Sequence, residues 1–110
     1  MENKTLQQRA LDIAITQIGE QENPLGSNWG HPVQDYLASV GIKFQASWCM
    51  AFLYWCFKKA AADTGVVNPL IKTGGVLAAW NKADKKYRVV GEPQPGDIFI
   101  MDFGHGLGHT

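Results

Sequence analysis

The residues able to do chemistry are few and lie in two places. Cys49 and Cys56 sit in the apolar stretch Ser47-Trp48-Cys49-Met50-Ala51-Phe52-Leu53-Tyr54-Trp55-Cys56-Phe57, while Asp102, His105 and His109 surround a glycine-rich turn far downstream. A helix-borne cysteine followed by a strand-borne histidine is the layout of thiol hydrolases. The imidazole takes the thiol proton and later protonates the leaving amine, while amides at the helix start steady the thiolate and the oxyanion.

The two cysteines differ in what their surroundings would do to them. Ser47 is the natural N-cap of a helix, since its hydroxyl can accept an amide that the first turn leaves unpaired. Cys49 then falls at about the second helical position, where free amides and the positive end of the macrodipole favour the thiolate. A cysteine so placed can fall from a pKa of about 8.5 to roughly 3.5–7.5. Cys56 lies among aromatics further along the helix and reads as an inert core residue. The plainer reading, in which both cysteines simply pack, stands beside this one, because free cysteines are among the most buried residue types. They cannot bridge each other, since seven residues of straight helix at about 1.5 Å per residue separate them by roughly 10 Å.

The histidines divide similarly. His109 follows the turn Gly104-His105-Gly106-Leu107-Gly108, so its ring is expected at a sheet edge facing the helix start, with His105 solvated in the turn. Metal binding by Asp102, His105 and His109 is the alternative, but their spacing fits neither a His-Glu-x-x-His helix nor a Cys-x-x-Cys pair. Gly104-x-Gly106-x-Gly108 enters a second β segment rather than the helix that a dinucleotide fingerprint requires. No metal and no cofactor is therefore expected.

The elements that must position these groups are legible in the periodicity. Leu6, Ala10, Leu11, Ala14, Ile15 and Ile18 predict an amphipathic helix over 6–18 ending at Gly19. Residues 20–30 have turn composition, and Trp29 within them is either a lid over the core or a ligand platform. Pro32 suits the first turn of a second helix, with Val33, Tyr36, Leu37 and Val40 inward and Gly41 as its stop. Cys49, Phe52, Leu53, Cys56 and Ala60 make the central helix, buried on more than one face, and Lys58 and Lys59 return it to solvent. A connector over 63–73 leads to a short helix over 75–84 with Val76, Leu77 and Trp80 inward. Residues 87–90 read as β, Glu92-Pro93-Gln94-Pro95-Gly96-Asp97 as a tight turn, and 98–103 as a strand of period two, with His109-Thr110 starting its return. Helices first and strands last predict an α+β fold with helices packed on an antiparallel sheet.

Bulk properties narrow the class. The 110 residues suffice for a single domain with one core, and 45% hydrophobic against 18% charged residues marks a globular chain. Ten basic residues balance ten acidic ones, which gives no support for nucleic acid as a partner. No apolar run is long enough to span a bilayer, so no membrane insertion is expected. The polar start Met1-Glu2-Asn3-Lys4 has no signal-peptide core, so synthesis in a cytoplasm is expected, with action on a wall only after lysis or dedicated export.

Taken in order, Trp48-Cys49-x-x-Phe52-x-x-Trp55, Pro95-Gly96-Asp97-Ile98 and Gly108-His109-Thr110 resemble a CHAP domain, a cysteine, histidine-dependent amidohydrolase/peptidase of the NlpC-like, papain-fold group of cell-wall hydrolases. Ile18-Gly19-x-x-Glu22, Asn28-x-Gly30 and Tyr36-Leu37 are similar to a bacterial and phage branch, which would include endolysins. The resemblance covers residues 10–110.

That resemblance implies a papain-like α+β domain over 1–110 that cleaves amide bonds in the peptide part of peptidoglycan through a cysteine thioester, as an N-acetylmuramoyl-L-alanine amidase or an endopeptidase. Cys49 is implied as nucleophile and its N–H as an oxyanion donor. His109 is implied as general base and acid, with Asn28 and Trp29 on the substrate side. The residue that orients the imidazole is expected on a strand after His109, or failing that at Asp102 or Asn28. The sheet is expected to be incomplete at the C-terminus. Its unpaired edge at 97–103 would then leave His109 frayed and favour self-association. Two rivals share the scaffold: a catalytically silent wall-binding module and a protein-directed thiol protease.

Overall fold

Thr5 sets the first helix. In the computed structural model, which describes residues 4–89 and 91–110, its hydroxyl accepts the Gln8 N–H and the Gln8 side chain accepts the Thr5 N–H in return. This capping box satisfies two donors at the start of α1 (Leu6–Ile15). The polar residues 1–3 lie outside the described part.

Helix α1 ends at Ile15, earlier than the expected stop at Gly19. From Thr16 onward the backbone tightens into three-residue turns, Gln17 N–H to Ala14 and Ile18 N–H to Ile15, and the Thr16 hydroxyl donates to the Ile13 carbonyl at 2.6 Å. The tightening takes Ile18 off the helical face, so it is 80% exposed. The inward stripe is Leu6, Ala10 and Ile13, whereas Leu11 and Ile15 stand on the exposed side.

Helix α2 (Val33–Ser39) follows its pattern, with Val33, Tyr36 and Leu37 buried and a left-handed Gly41 after it. Leu37 is fully enclosed, and truncating such a side chain typically costs about 2–5 kcal/mol.

Helix α3 (Cys49–Thr64) runs through the middle and packs on three sides. Cys56, Phe57 and Ala60 meet Leu6, Ala10 and Ile13 of α1. Ala51 joins Val33, Tyr36 and Leu37 of α2. Met50 meets Val76 and Ala79 of α4 (Val76–Lys82). Burial on several faces was thus correctly read from the uncharged run. Gly65, left-handed at φ 73°, ends α3 and donates to the Ala61 carbonyl.

Two expectations fail from α4 onward. Trp80 is 42% exposed rather than inward, because the Arg88 guanidinium covers its ring at 4.2 Å and donates to its carbonyl at 3.1 Å. Residues Lys85–Tyr87 form a 3-10 turn capped by the Asp84 carboxylate, not the start of a strand, and Val90 lies outside the described residues.

The sheet is a hairpin. Pro95-Gly96 make the tight turn, closed by Asp97 N–H to Gln94 and by Gln94 N–H to the Asp97 carboxylate. Ile98 and Ile100 are half-buried while Phe99, Met101 and Phe103 are exposed, the period of two expected there, although the ladder itself begins only at β1 (Met101–Gly104). It pairs antiparallel with β2 (Leu107–His109), Met101 opposite His109 and Asp102 opposite Gly108. His105 and Gly106, both at positive φ, form the connection. Four α-helices and a two-stranded antiparallel sheet among the described residues make the chain α+β. No described helix is long and apolar enough to cross a membrane.

Candidate active site

Cys49 is the first residue of α3, one place earlier in the helix than its spacing from Ser47 suggests. The N-cap is Trp48 (φ −119°, ψ 8°), and no side chain caps the helix start. Ser47 is displaced from that role by aromatic packing: the Trp48 ring stacks on Tyr36 at 5.6 Å and meets the edge of Phe52 at 6.3 Å, which fixes where the helix can begin. The first helical bond is Phe52 N–H to the Trp48 carbonyl at 2.8 Å. The amides of Cys49, Met50 and Ala51 therefore have no acceptor within the helix, and of these three residues only Cys49 is not fully buried.

The two cysteines differ in burial. Both are free. Cys49 is half-buried against the cluster of Met50, Val76 and Ala79. Cys56 is 1% exposed, and burial pushes its thiol up to about 12, so it stays protonated and unreactive.

His109 ends β2 and is exposed. Two contacts involve its neighbours. Gly108 lies against Leu77 of α4, and the Thr110 hydroxyl donates to the Phe99 carbonyl at 2.7 Å. Ile100, just before β1, belongs to the cluster that holds Cys49, so the hairpin and the start of α3 adjoin. Cross-strand partners share one side of a sheet and successive residues alternate, so His109 stands with Met101 on the exposed side, whereas Ile100, which packs with the cluster that Cys49 meets, and Asp102 are on the opposite side. Among the described residues no hydrogen bond joins the Cys49 thiol to the His109 ring. Catalytic hydrogen bonds often tighten only around substrate.

The remaining candidates have structural duties. His105, at φ 57°, is a turn residue as expected. The Asp102 carboxylate accepts the Gly104 N–H at 2.8 Å within the same hairpin. Asn28 is left-handed at φ 56°, and its N–H donates to Glu22 Oε2 at 2.9 Å. Trp29 is half-buried against the α2–α3 cluster, which is the lid arrangement. Glu22 also accepts the indole N–H of Trp48 at 3.3 Å. Spacing gave Glu22 no role, because the contact spans loop and helix; only its place in the Gly19-x-x-Glu22 pattern marked it. An open, largely apolar cavity of about 230 Å³ is lined by Met50, Leu70, Ala79, Trp80, Arg88 and Ile100 among others, and neither Cys49 nor His109 lines it.

The CHAP domain family model matches residues 41–110, which include Cys49 and His109. The chain belongs to the CHAP domain family. Comparison with the curated proteins and with the solved structures finds no match. CHAP domains are in general cysteine- and histidine-dependent amidohydrolases or peptidases that act on peptidoglycan, and the α+β arrangement of this chain is consistent with that fold. The match begins at Gly41, so Glu22, Asn28 and Trp29 stand ahead of it.

Proposed function

We propose that this CHAP domain hydrolyses an amide bond in the peptide part of peptidoglycan, with Cys49 as nucleophile and His109 as general base and acid. The thiolate sulfur attacks the carbonyl carbon, and the oxyanion that forms accepts the Cys49 N–H. The C–N bond breaks as the imidazolium gives its proton to the leaving amine, leaving a thioester. Water, deprotonated by the same imidazole, then cleaves the thioester to a carboxylate and the free thiol.

The observation that carries this reading is the place of Cys49. It is the first residue of an uncapped helix, half-exposed, and within the family match. Cys56 has neither exposure nor free amides. Asn28 and Trp29 are proposed to line the substrate side, through the part of Trp29 that its packing leaves open. A second copy is a further proposed partner, because Phe99, Phe103 and Leu107 on the hairpin are each more than 60% exposed.

The test is incubation of the protein with purified sacculi and mass spectrometry of what is released. New amino groups at L-alanine indicate an amidase, and cuts between amino acids an endopeptidase. Cys49→Ala should release nothing, and iodoacetamide should label Cys49 far faster than Cys56 in the native state. Intact sacculi that nevertheless retain the protein would replace this reading with a wall-binding module.

A further inference from the structure

One carboxylate oxygen joins the two sides of the candidate site. Glu22 Oε2 accepts the backbone N–H of Asn28 at 2.9 Å and the indole N–H of Trp48 at 3.3 Å. The first donor belongs to the loop 20–30 that carries Asn28 and Trp29. The second belongs to the residue immediately before Cys49. We propose that Glu22 is a positioning residue, which holds Trp48 and thereby the peptide that carries the Cys49 N–H. The proposal rests on Cys49 being the nucleophile.

The physical argument starts from what fixes Trp48. As N-cap, its torsions set the direction of the peptide between it and Cys49, and no side-chain cap helps hold them. Its ring is packed against Tyr36 and Phe52, contacts that resist withdrawal but are only weakly directional. The bond from the indole N–H to Glu22 is the directional one, and a carboxylate acceptor makes it stronger than a neutral partner would. The same oxygen holds Asn28 in its left-handed conformation, which a non-glycine residue leaves readily without support. Asn23 N–H to the Trp29 carbonyl at 2.9 Å closes the loop behind it. Rotation of the Trp48 ring would thus be transmitted in two directions, to the Cys49 amide and to the loop opposite.

The residue types fit the role. An acid at position 22 also places a negative charge near the uncapped start of α3, where the macrodipole favours it. It touches neither thiol nor imidazole, so it is not a catalytic residue.

The experiment is a double-mutant cycle with a spectroscopic readout. Trp48→Phe identifies the Trp48 indole N–H resonance by its loss. In Glu22→Ala that resonance should move upfield and exchange faster with water, and in Glu22→Gln it should stay, because the amide oxygen can still accept. On sacculi, Glu22→Ala should lose about 100-fold in turnover, the scale of a misplaced reacting group, with half-saturation changed less. Glu22→Gln should recover most of that loss. Trp48→Phe should lose turnover too, and the Glu22→Ala/Trp48→Phe pair should be no worse than Glu22→Ala alone, since both remove one link. An unmoved indole resonance in Glu22→Ala, additive losses in the pair, or wild-type turnover in Glu22→Ala would each overturn the proposal. Should Glu22→Ala fail to fold, Trp48→Phe decides: wild-type turnover there overturns it. Cys49→Ala is measured alongside. Turnover surviving in Cys49→Ala removes the nucleophile reading itself, whereas a dead Cys49→Ala with an unaffected Glu22→Ala removes only the role of Glu22.

Discussion

Gly108 lies so close to Leu77 that a β-carbon placed on it would stand 2.9 Å from Leu77 Cδ2 and 3.1 Å from the Met101 carbonyl. Strand β2 can therefore sit down on α4 only because position 108 has no side chain, and His109 is carried at the height this contact sets. Gly108→Ala must lift the strand or push Leu77 aside. The expected outcome is a loss of about 1–3 kcal/mol, the range of an overpacked contact, together with a larger fall in sacculus hydrolysis. Adding Leu77→Ala makes room and should restore part of the turnover. Thermal melts and hydrolysis rates of the three proteins check this, and an active, unperturbed Gly108→Ala would mean that the contact does not position His109.

The loop wall offers a similar test at Gly30. A β-carbon there would meet the Asn23 carbonyl oxygen at 2.5 Å and the Asn23 nitrogen at 2.8 Å, and the residue is at φ 89°. Both partners are backbone and cannot give way by changing rotamer. Gly19 shares the positive φ (95°) but has nothing within 4 Å. Gly19→Ala should cost only the left-handed strain of about 1 kcal/mol, while Gly30→Ala should cost clearly more and loosen the loop around Trp29. Urea unfolding of both variants measures the difference. Equal losses would show that strain alone, not the close approach to Asn23, fixes this glycine.

How far such features can be read from sequence depends on whether they are local. The core of α2 and the many-sided burial of α3 follow from apolar spacing within one segment, and so do the turns at Pro95-Gly96 and His105-Gly106. Cys49 at a helix start and Cys56 inside the core were legible for the same reason. The misreadings all involve a distant partner. Ser47 has the chemistry of a cap, but Trp48 takes the position because Tyr36 and Phe52 hold its ring. Trp80 has the character of a core residue, but Arg88 covers it at the surface. The turns after Ile15 that move Ile18 into solvent accompany a bond from the Tyr36 hydroxyl to Gln17, across 19 residues. Glu22 was visible in a pattern, yet its two donors lie on a loop and a helix that spacing does not bring together.

Alkaline pH should destabilise the protein, and the sign follows from two buried groups. Burial pushes the Cys56 thiol up from 9.0 to about 12 and the Tyr36 hydroxyl up from 10.0 to about 12, the latter helped by Glu20. Between about pH 9 and 12 the unfolded chain has lost these protons while the folded chain keeps them. The folded state binds more protons, so stability is full below pH 9 and falls as pH rises through that window. Melting temperatures recorded from pH 7 to 11 should decline on the alkaline side. Tyr36→Phe should begin lower at pH 7, because the bond to Gln17 is lost, and decline less steeply. A decline as steep as that of the wild type would show that Tyr36 contributes nothing to it.

The histidines give the sharpest separation of roles. His105 sits at φ 57° in the hairpin connection, a conformation that asparagine adopts with little strain, so His105→Asn replaces the imidazole without disturbing the turn. His109 is held from both sides, by Gly108 on Leu77 and by the Thr110 hydroxyl on the Phe99 carbonyl. Its exposed side chain makes no packing contribution comparable to a core residue, so His109→Ala should fold with a melting temperature near that of the wild type. If the imidazole of His109 is the general base and acid, His109→Ala should lose about 10²–10⁴-fold in sacculus hydrolysis, the usual worth of positioned proton transfer. His105→Asn should keep most of the activity. The reverse pattern would move the base to His105, across the turn from the strand now assigned. Loss in both variants, with both still folded, would count against assigning the base to His109 alone.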